Sequence, residues 1–315
     1  MTTPKINPLH GILFAVFGFA MFSTHDAIIK SFHGGLSVVQ IMFFSTIFSF
    51  PWVSTMIMTD GRPENFKPNR PFMLIARTVL GLGAGGFAFT AFMILPFADV
   101  YGLLFTTPLF ITLLSIPFLG EKVGKFRAFA VLLGFAGVLV MLPLQLDQFS
   151  MGHLAAFCSA LCSSGNAIVT RKIGQTEREA VMMMLPMGIS LVILGALMPF
   201  GYYAPTSVQL YKLMIIGGLG FFAQLCIIAA YKRSEAAIIA PMQYSQLIWA
   251  IIYGSLFFNE EVSSRKLIGA AIIISSGLFI LYRETRGHNS ANRPASSFRN
   301  FRPDTSRSWI KSKEN

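Results

Sequence analysis

LSVVQIMFFSTIFSFPWVSTMIM, residues 36–58, contains no charged side chain. An uncharged apolar stretch longer than about 18 residues can cross the hydrocarbon core of a bilayer as a helix, which satisfies its backbone hydrogen bonds within one segment. The rest of the chain is of the same kind. Of 315 residues, 54% are apolar, 12% are charged and 31 are phenylalanine, and the mean hydropathy is +0.61. Soluble domains carry roughly 25% charged residues, and a water-exposed surface cannot be covered with so few. The composition is that of an integral membrane protein.

Ten apolar runs lie near residues 9–30, 36–58, 72–94, 99–119, 126–143, 150–170, 179–200, 210–231, 237–258 and 265–282. They predict ten transmembrane helices, since the short alternating segments of a membrane β-barrel are absent. The first run is longer than a signal-peptide core and lacks a small-residue cleavage pattern, so it is read as an uncleaved first span. With a cytoplasmic N-terminus, twelve Lys and Arg residues fall in the inward segments before the tail, against Lys30, Lys212, Arg265 and Lys266 outside. Both termini are therefore expected in the cytoplasm. Residues 283–315 hold eight basic and three acidic side chains and no apolar periodicity. That segment is expected to be a disordered basic cytoplasmic tail lying near anionic lipid, not a nucleic-acid arm.

The chain repeats itself. DAIIK at Asp26 matches NAIVT at Asn166, and FLGEKVGKFR at Phe118 matches FFNEEVSSRK at Phe257, both at nearly the same offset. Glycine clusters recur correspondingly, GLGAGG at Gly81 and GGLG at Gly217. Residues 1–143 and 144–282 thus form two repeats of five spans each, followed by the tail. Because five is odd, the second copy enters the membrane from the opposite side. The expected fold is an all-α polytopic membrane protein built of two inverted five-helix repeats, the layout of secondary transporters whose solute sites lie between the repeats.

These features resemble the bacterial drug/metabolite transporter superfamily, EamA type: the two five-helix repeats, GE or NEE after the fourth helix of each, and AIIAPMQYSQLIWAIIYGSLFFNEE before the last helix. The resemblance covers residues 9–282. It implies a multi-pass protein of the bacterial inner membrane that moves a small molecule, with riboflavin uptake first. S-adenosylmethionine, amino-acid and drug transport within the same superfamily are the alternatives.

Ionisable groups in a span cost roughly 2.5–3.5 kcal/mol at its centre, and so face a cavity or a partner. Asp26 and His25 end the first span. Two readings stand for them: an Asp26–Lys30 pair at i, i+4 with Lys30 snorkelling, or a polar lining that binds solute or carries a proton. Asn166 is the uncharged counterpart of Asp26. Arg77, near the cytoplasmic start of the third span, is read either as snorkelling or as a fork for a carboxylate or phosphate. The richest polar set is Gln224, Tyr231, Gln243, Tyr244, Gln246 and Trp249, where amides beside aromatics suit a flat heteroaromatic solute. Glu121 and Glu260 read as helix-end charges beside Lys122 and Arg265. Pro108, Pro117 and Pro186 read as kinks.

The remaining classes find no support. GLGAGG satisfies G-x-G-x-x-G but lies inside a span without a preceding strand, so it reads as helix packing. No phosphate-binding G-x-x-x-x-G-K-[ST] loop occurs, and the five histidines have no metal-ligand spacing. No cofactor or metal is expected. Cys158, Cys162 and Cys226 all fall within spans and imply no disulfide framework. An intramembrane enzyme is the alternative from a different class, and it needs convergent catalytic groups that the sequence does not offer. The expected partners are a small-molecule substrate and the lipid bilayer, with no nucleic acid, for a monomer or a homodimer.

Overall fold

The computed structural model describes residues 8–59, 67–120, 124–142, 149–173, 176–177, 179–233, 239–261 and 263–286. Glu121 and the basic tail beyond Arg286 lie outside the described residues. Among the described residues eleven α-helices follow one another: α1 (Pro8–Lys30), α2 (Val38–Thr59), α3 (Pro71–Ile94), α4 (Phe97–Leu104), α5 (Thr107–Leu119), α6 (Lys125–Met141), α7 (Met151–Ile173), α8 (Glu179–Leu197), α9 (Ser207–Arg233), α10 (Ser245–Phe258) and α11 (Ser264–Arg286). Short 3-10 turns occupy Met198–Gly201 and Ala240–Tyr244.

These make ten spans. The fourth is α4 plus α5, and the ninth is the Ala240–Tyr244 turn plus α10. Six spans are long and apolar enough to cross a bilayer on their own, namely α1, α2, α3, Phe97–Leu119, Val181–Gly201 and Ser207–Tyr231. The others are shorter or more polar: α6 has 17 residues and α10 has 14. The charged ends of α7 and α11 dilute their apolar middles.

The fourth span is broken where the sequence suggests a kink. Its helical pattern lapses at Phe105 and Thr106, and Pro108 then sits in the first turn of α5, where its missing N–H costs nothing. Pro117 and Pro186 lie inside α5 and α8, which continue through them. The ninth span is broken at the corresponding place, between Tyr244 and Ser245. The repeats end alike too. α5 is capped by Gly120 at φ 68° and α10 by Asn259 at φ 52°, two positions that align when FLGEKVGKFR is laid on FFNEEVSSRK. Both are left-handed, a conformation open to glycine and tolerated by asparagine.

Packing obeys the same symmetry. α1 lies along α9 and α3 along α7; α2 meets α9 and α3 meets α8; α1 meets α10 and α5 meets α7. Exchanging each span with the one five places away turns every one of these contacts into another. The α6–α11 contact maps onto itself. It is close because glycines face each other: a Cβ on Gly269 would stand 2.8 Å from the Gly137 carbonyl oxygen. The bundle therefore has a termini end, where α1 starts and α11 finishes, and a distal end, where Lys30 and Glu260 meet.

Candidate functional site

One turn of α1, Ser23 to Asp26, touches four other helices drawn from both repeats. Asp26 Oδ2 accepts the hydroxyl of Tyr101 on α4 at 2.6 Å, and Ser23 Oγ lies 3.4 Å from that hydroxyl. Thr24 Oγ1 donates to the Ala20 carbonyl at 2.9 Å and accepts the hydroxyl of Tyr253 on α10 at 2.8 Å. The His25 ring meets Phe89 of α3 edge-on, with centroids 5.9 Å apart, and faces Gly220 of α9. His25 Nδ1 donates to Asp26 Oδ1 at 2.8 Å. Nε2 takes no partner among the described residues, so it is open to a solute as acceptor or, once protonated, as donor.

The matching turn of α7 is its inverted counterpart. STHDAIIK becomes SSGNAIVT, so His25, Asp26 and Lys30 give way to Gly165, Asn166 and Thr170. Gly81 faces Asn166 as Gly220 faces His25, and the two glycines are separated by the same offset as the repeat ends. Two windows, one on each side of the midplane, are thus lined by the same backbone and by different charge.

Above the charged window the distal end is closed. Lys30 does not pair with Asp26, contrary to the local i, i+4 expectation. Its Nζ lies 2.8 Å from Glu260 Oε1, both side chains being nearly buried at 11% and 12% exposure. It also donates to the carbonyls of Phe92 and Leu95 and stands 5.1 Å and 5.5 Å from the Phe97 and Phe258 rings. Glu260 is not an ordinary loop charge beside Arg265. Its Oε2 accepts the Phe97 N–H at 2.8 Å, at the start of α4, while Arg265 donates to the Leu142 carbonyl.

Arg77 neither snorkels nor stands free for an anion. Its Nε donates to Thr170 Oγ1 at 2.8 Å and its Nη1 to the Met182 carbonyl at 2.7 Å, tying α3 to α7 and α8. Thr170 Oγ1 in turn lies 3.5 Å from Asn166 Oδ1. Arg77 and Asn166 are therefore brought together, on the termini side of the midplane.

The six residues of the eighth and ninth spans are not gathered on one face. Gln224 is exposed on α9, one turn beyond Gly220, and Tyr231 packs with Ala15 and Phe19 of α1. Gln243 is exposed in the 3-10 turn. Tyr244 meets Phe105 edge-on at 5.2 Å and lays its hydroxyl against Gly277 of α11. Gln246 is half-buried. Trp249 stacks on Tyr253 with centroids 6.2 Å apart and, with Phe17, Met21 and Thr24 of α1, lines an apolar groove of about 400 Å³. The 3-10 turn has three residues per turn, so α-helical spacing carried across Tyr244 misassigns the faces. Tyr101, Tyr253 and Ser23 join the site although no motif singles them out. A lone tyrosine in an apolar run looks like a belt residue until its partner is known.

The GLGAGG glycines pack α3 on its neighbours. A Cβ on Gly83 would approach Cys162 at 3.2 Å, and one on Gly85 would approach Met42 at 3.2 Å. The three cysteines are free, and no cluster of metal-binding side chains occurs among the described residues.

The EamA-like transporter family matches the chain twice, over residues 9–142 and 150–282. The chain belongs to this family. It is similar to a riboflavin transporter of Rhizobium johnstonii, 28% identical over 77% of this chain and 79% of that one. It is also similar to an S-adenosylmethionine uptake transporter of Rickettsia conorii, 26% identical over 89% and 95% of the two chains. A protein of known crystal structure, 17% identical, has the same fold with a TM-score of 0.61 over 88% of this chain and 97% of that one. The family is one of transporters, as are the Rhizobium and Rickettsia relatives, and the chain is a multi-pass membrane transporter of small molecules.

Proposed function

We propose that this EamA protein imports riboflavin, or a closely related flat heteroaromatic metabolite, across the bacterial inner membrane by alternating access, with both termini in the cytoplasm. The observation that carries the reading is the convergence of Ser23–Asp26 on α3, α4, α9 and α10. That single turn supplies a carboxylate and an imidazole, and around it gather the hydroxyls of Tyr101 and Tyr253 and the ring of Phe89, where the repeats meet. Such a set offers hydrogen bonds to ring nitrogens and carbonyls together with aromatic faces for stacking. His25 and Asp26 are the primary solute contacts in this reading, with Gln224 beside them. Asn166 and Arg77 form the inner window, and Trp249 and Gln246 flank the path. The riboflavin transporter of Rhizobium johnstonii supports the choice of solute.

One feature favours a second solute. Asp26 carries a negative charge, which would attract a cationic group such as a sulfonium, and the Rickettsia conorii relative is an S-adenosylmethionine uptake transporter. Growth separates the two. The gene should restore growth of a riboflavin-requiring bacterium that lacks its own importer, at micromolar riboflavin. No rescue there, with rescue of an S-adenosylmethionine requirement, would replace the first solute with the second. Rescue of neither would remove both.

A further inference from the structure

The groups that hold the Lys30 ammonium divide between the repeats. The Phe92 and Leu95 carbonyls and the Phe97 ring belong to the first repeat, while Glu260 and the Phe258 ring belong to the second. When the repeats part at the distal end, Lys30 therefore loses its anion and keeps only neutral partners. A nearly buried ammonium in that position is costly, because no carboxylate offsets its lost hydration.

A replacement must travel with the first repeat and lie within reach of Lys30. Asp26 is the single acid of α1 and stands one turn before Lys30, where side chains at i, i+4 meet. Its present partners, His25 and Tyr101, also belong to the first repeat, so Asp26 keeps its place on α1 as the repeats part. Asp99 is the other described acid of that repeat. It lies on α4, and Lys266 of the second repeat holds it at 2.7 Å.

We propose that Lys30 is a gate residue with two anionic partners, Glu260 while the distal end is closed and Asp26 while it is open. The ion pair moves from between the repeats to within the first one. The ammonium is then compensated in both states, and neither state traps it. The exchange also ties the gate to the site, a consequence that rests on the reading of Asp26 as a solute contact. A solute seated on Asp26 takes the open-state partner from Lys30 and leaves it Glu260. The loaded transporter therefore closes at the distal end.

The test measures opening without any solute, so its outcome is separate from that reading. The full chain is used, with the free Cys158, Cys162 and Cys226 replaced by alanine. Spin labels on cysteines placed at the exposed His33 and Ser264, one in each repeat, report the distal distance by double electron–electron resonance. Glu260→Gln keeps an acceptor for the Phe97 N–H and removes the charge. It should raise a longer-distance population at least threefold over the parent. Adding Asp26→Asn should return that population to the parent level, because the open state then has no anion for Lys30. Adding Tyr101→Phe instead, which spares the carboxylate, should leave it raised. Where Lys30→Met accompanies Glu260→Gln, Asp26→Asn should change nothing. Glu260→Asp draws the carboxylate back by one methylene and takes the place of Glu260→Gln if that variant does not fold. The proposal is overturned if neither Glu260 variant opens the distal end, or if Asp26→Asn leaves it as open as before. It is equally overturned if Asp26→Asn acts the same without Lys30, or if Asp99→Asn closes the Glu260 variant in its place.

Discussion

Lys30 of the first repeat and Glu260 of the second meet at 2.8 Å, with the rings of Phe97 and Phe258 beside the ammonium. The inverted position of Lys30 is Thr170, which carries no charge. An ion pair thus closes the distal end, and the residue at the matching inner position cannot supply the same cation. Buried pairs are held by good geometry and by the extra bonds around them, and removing one partner leaves an uncompensated charge that costs about 3–5 kcal/mol. Lys30→Met and Glu260→Gln should each lower the thermal midpoint of the purified protein. The double variant should be more stable than the sum of the single losses implies, by at least about 1 kcal/mol. A strictly additive cycle would show that the two side chains do not act as a pair.

Asp26 accepts bonds from both His25 and Tyr101, and it is the charged half of a position that is asparagine in the other repeat. Asp26→Asn keeps the shape and removes the charge. In proteoliposomes it should lower the initial uptake rate at least tenfold, with little change in thermal midpoint. Tyr101→Phe should cost less, about threefold to tenfold, because Asp26 keeps the imidazole. Uptake by Asp26→Asn equal to the parent would remove Asp26 from the solute path.

The sequence shows the spans and the repeat because charge-free length and a constant offset are properties of one chain read in order. It does not show the Lys30–Glu260 pair, whose members lie in the first span of one repeat and after the fourth span of the other, and local spacing points to Asp26 instead. The reach of the two side chains explains the difference. Asp26 is short and stays with Tyr101, while the long Lys30 stem carries its ammonium out to the helix-end carbonyls of Phe92 and Leu95. Arg77 reads as a snorkelling residue by depth, yet it finds Thr170 and the Met182 carbonyl inside the bundle. The amide and aromatic set of the eighth and ninth spans is legible as residue types, but its division between faces depends on a 3-10 turn that periodicity does not reveal.

Gly269 and Gly218 separate packing from composition. A Cβ on Gly269 would stand 2.8 Å from the Gly137 carbonyl and 3.0 Å from the Met141 nitrogen, whereas one on Gly218 would meet nothing within 4 Å. Backbone cannot yield as a side chain can, so Gly269→Ala must push α6 and α11 apart, at about 1–3 kcal/mol. Gly218→Ala should be neutral or slightly stabilising, since alanine is the better helix former by about 1 kcal/mol. Denaturation of the two variants in the same detergent checks this, and equal midpoints would contradict the close α6–α11 approach.

Asn166→Asp tests the inverted relation from the other side. Thr170 Oγ1 lies 3.5 Å from Asn166 Oδ1 and 2.8 Å from Arg77 Nε, so a carboxylate at position 166 comes within reach of the guanidinium. A charge-assisted bond there is worth about 1.5–3 kcal/mol. It would pin α3 to α7 across the repeat boundary, where rocking of one repeat against the other requires them to part. The variant should therefore unfold a few degrees higher than the parent, at about 2–4 °C per kcal/mol, and transport more slowly. Adding Arg77→Gln should reverse the gain in stability. A faster or unchanged uptake rate in the stabilised variant would mean that the α3–α7 contact does not open during transport.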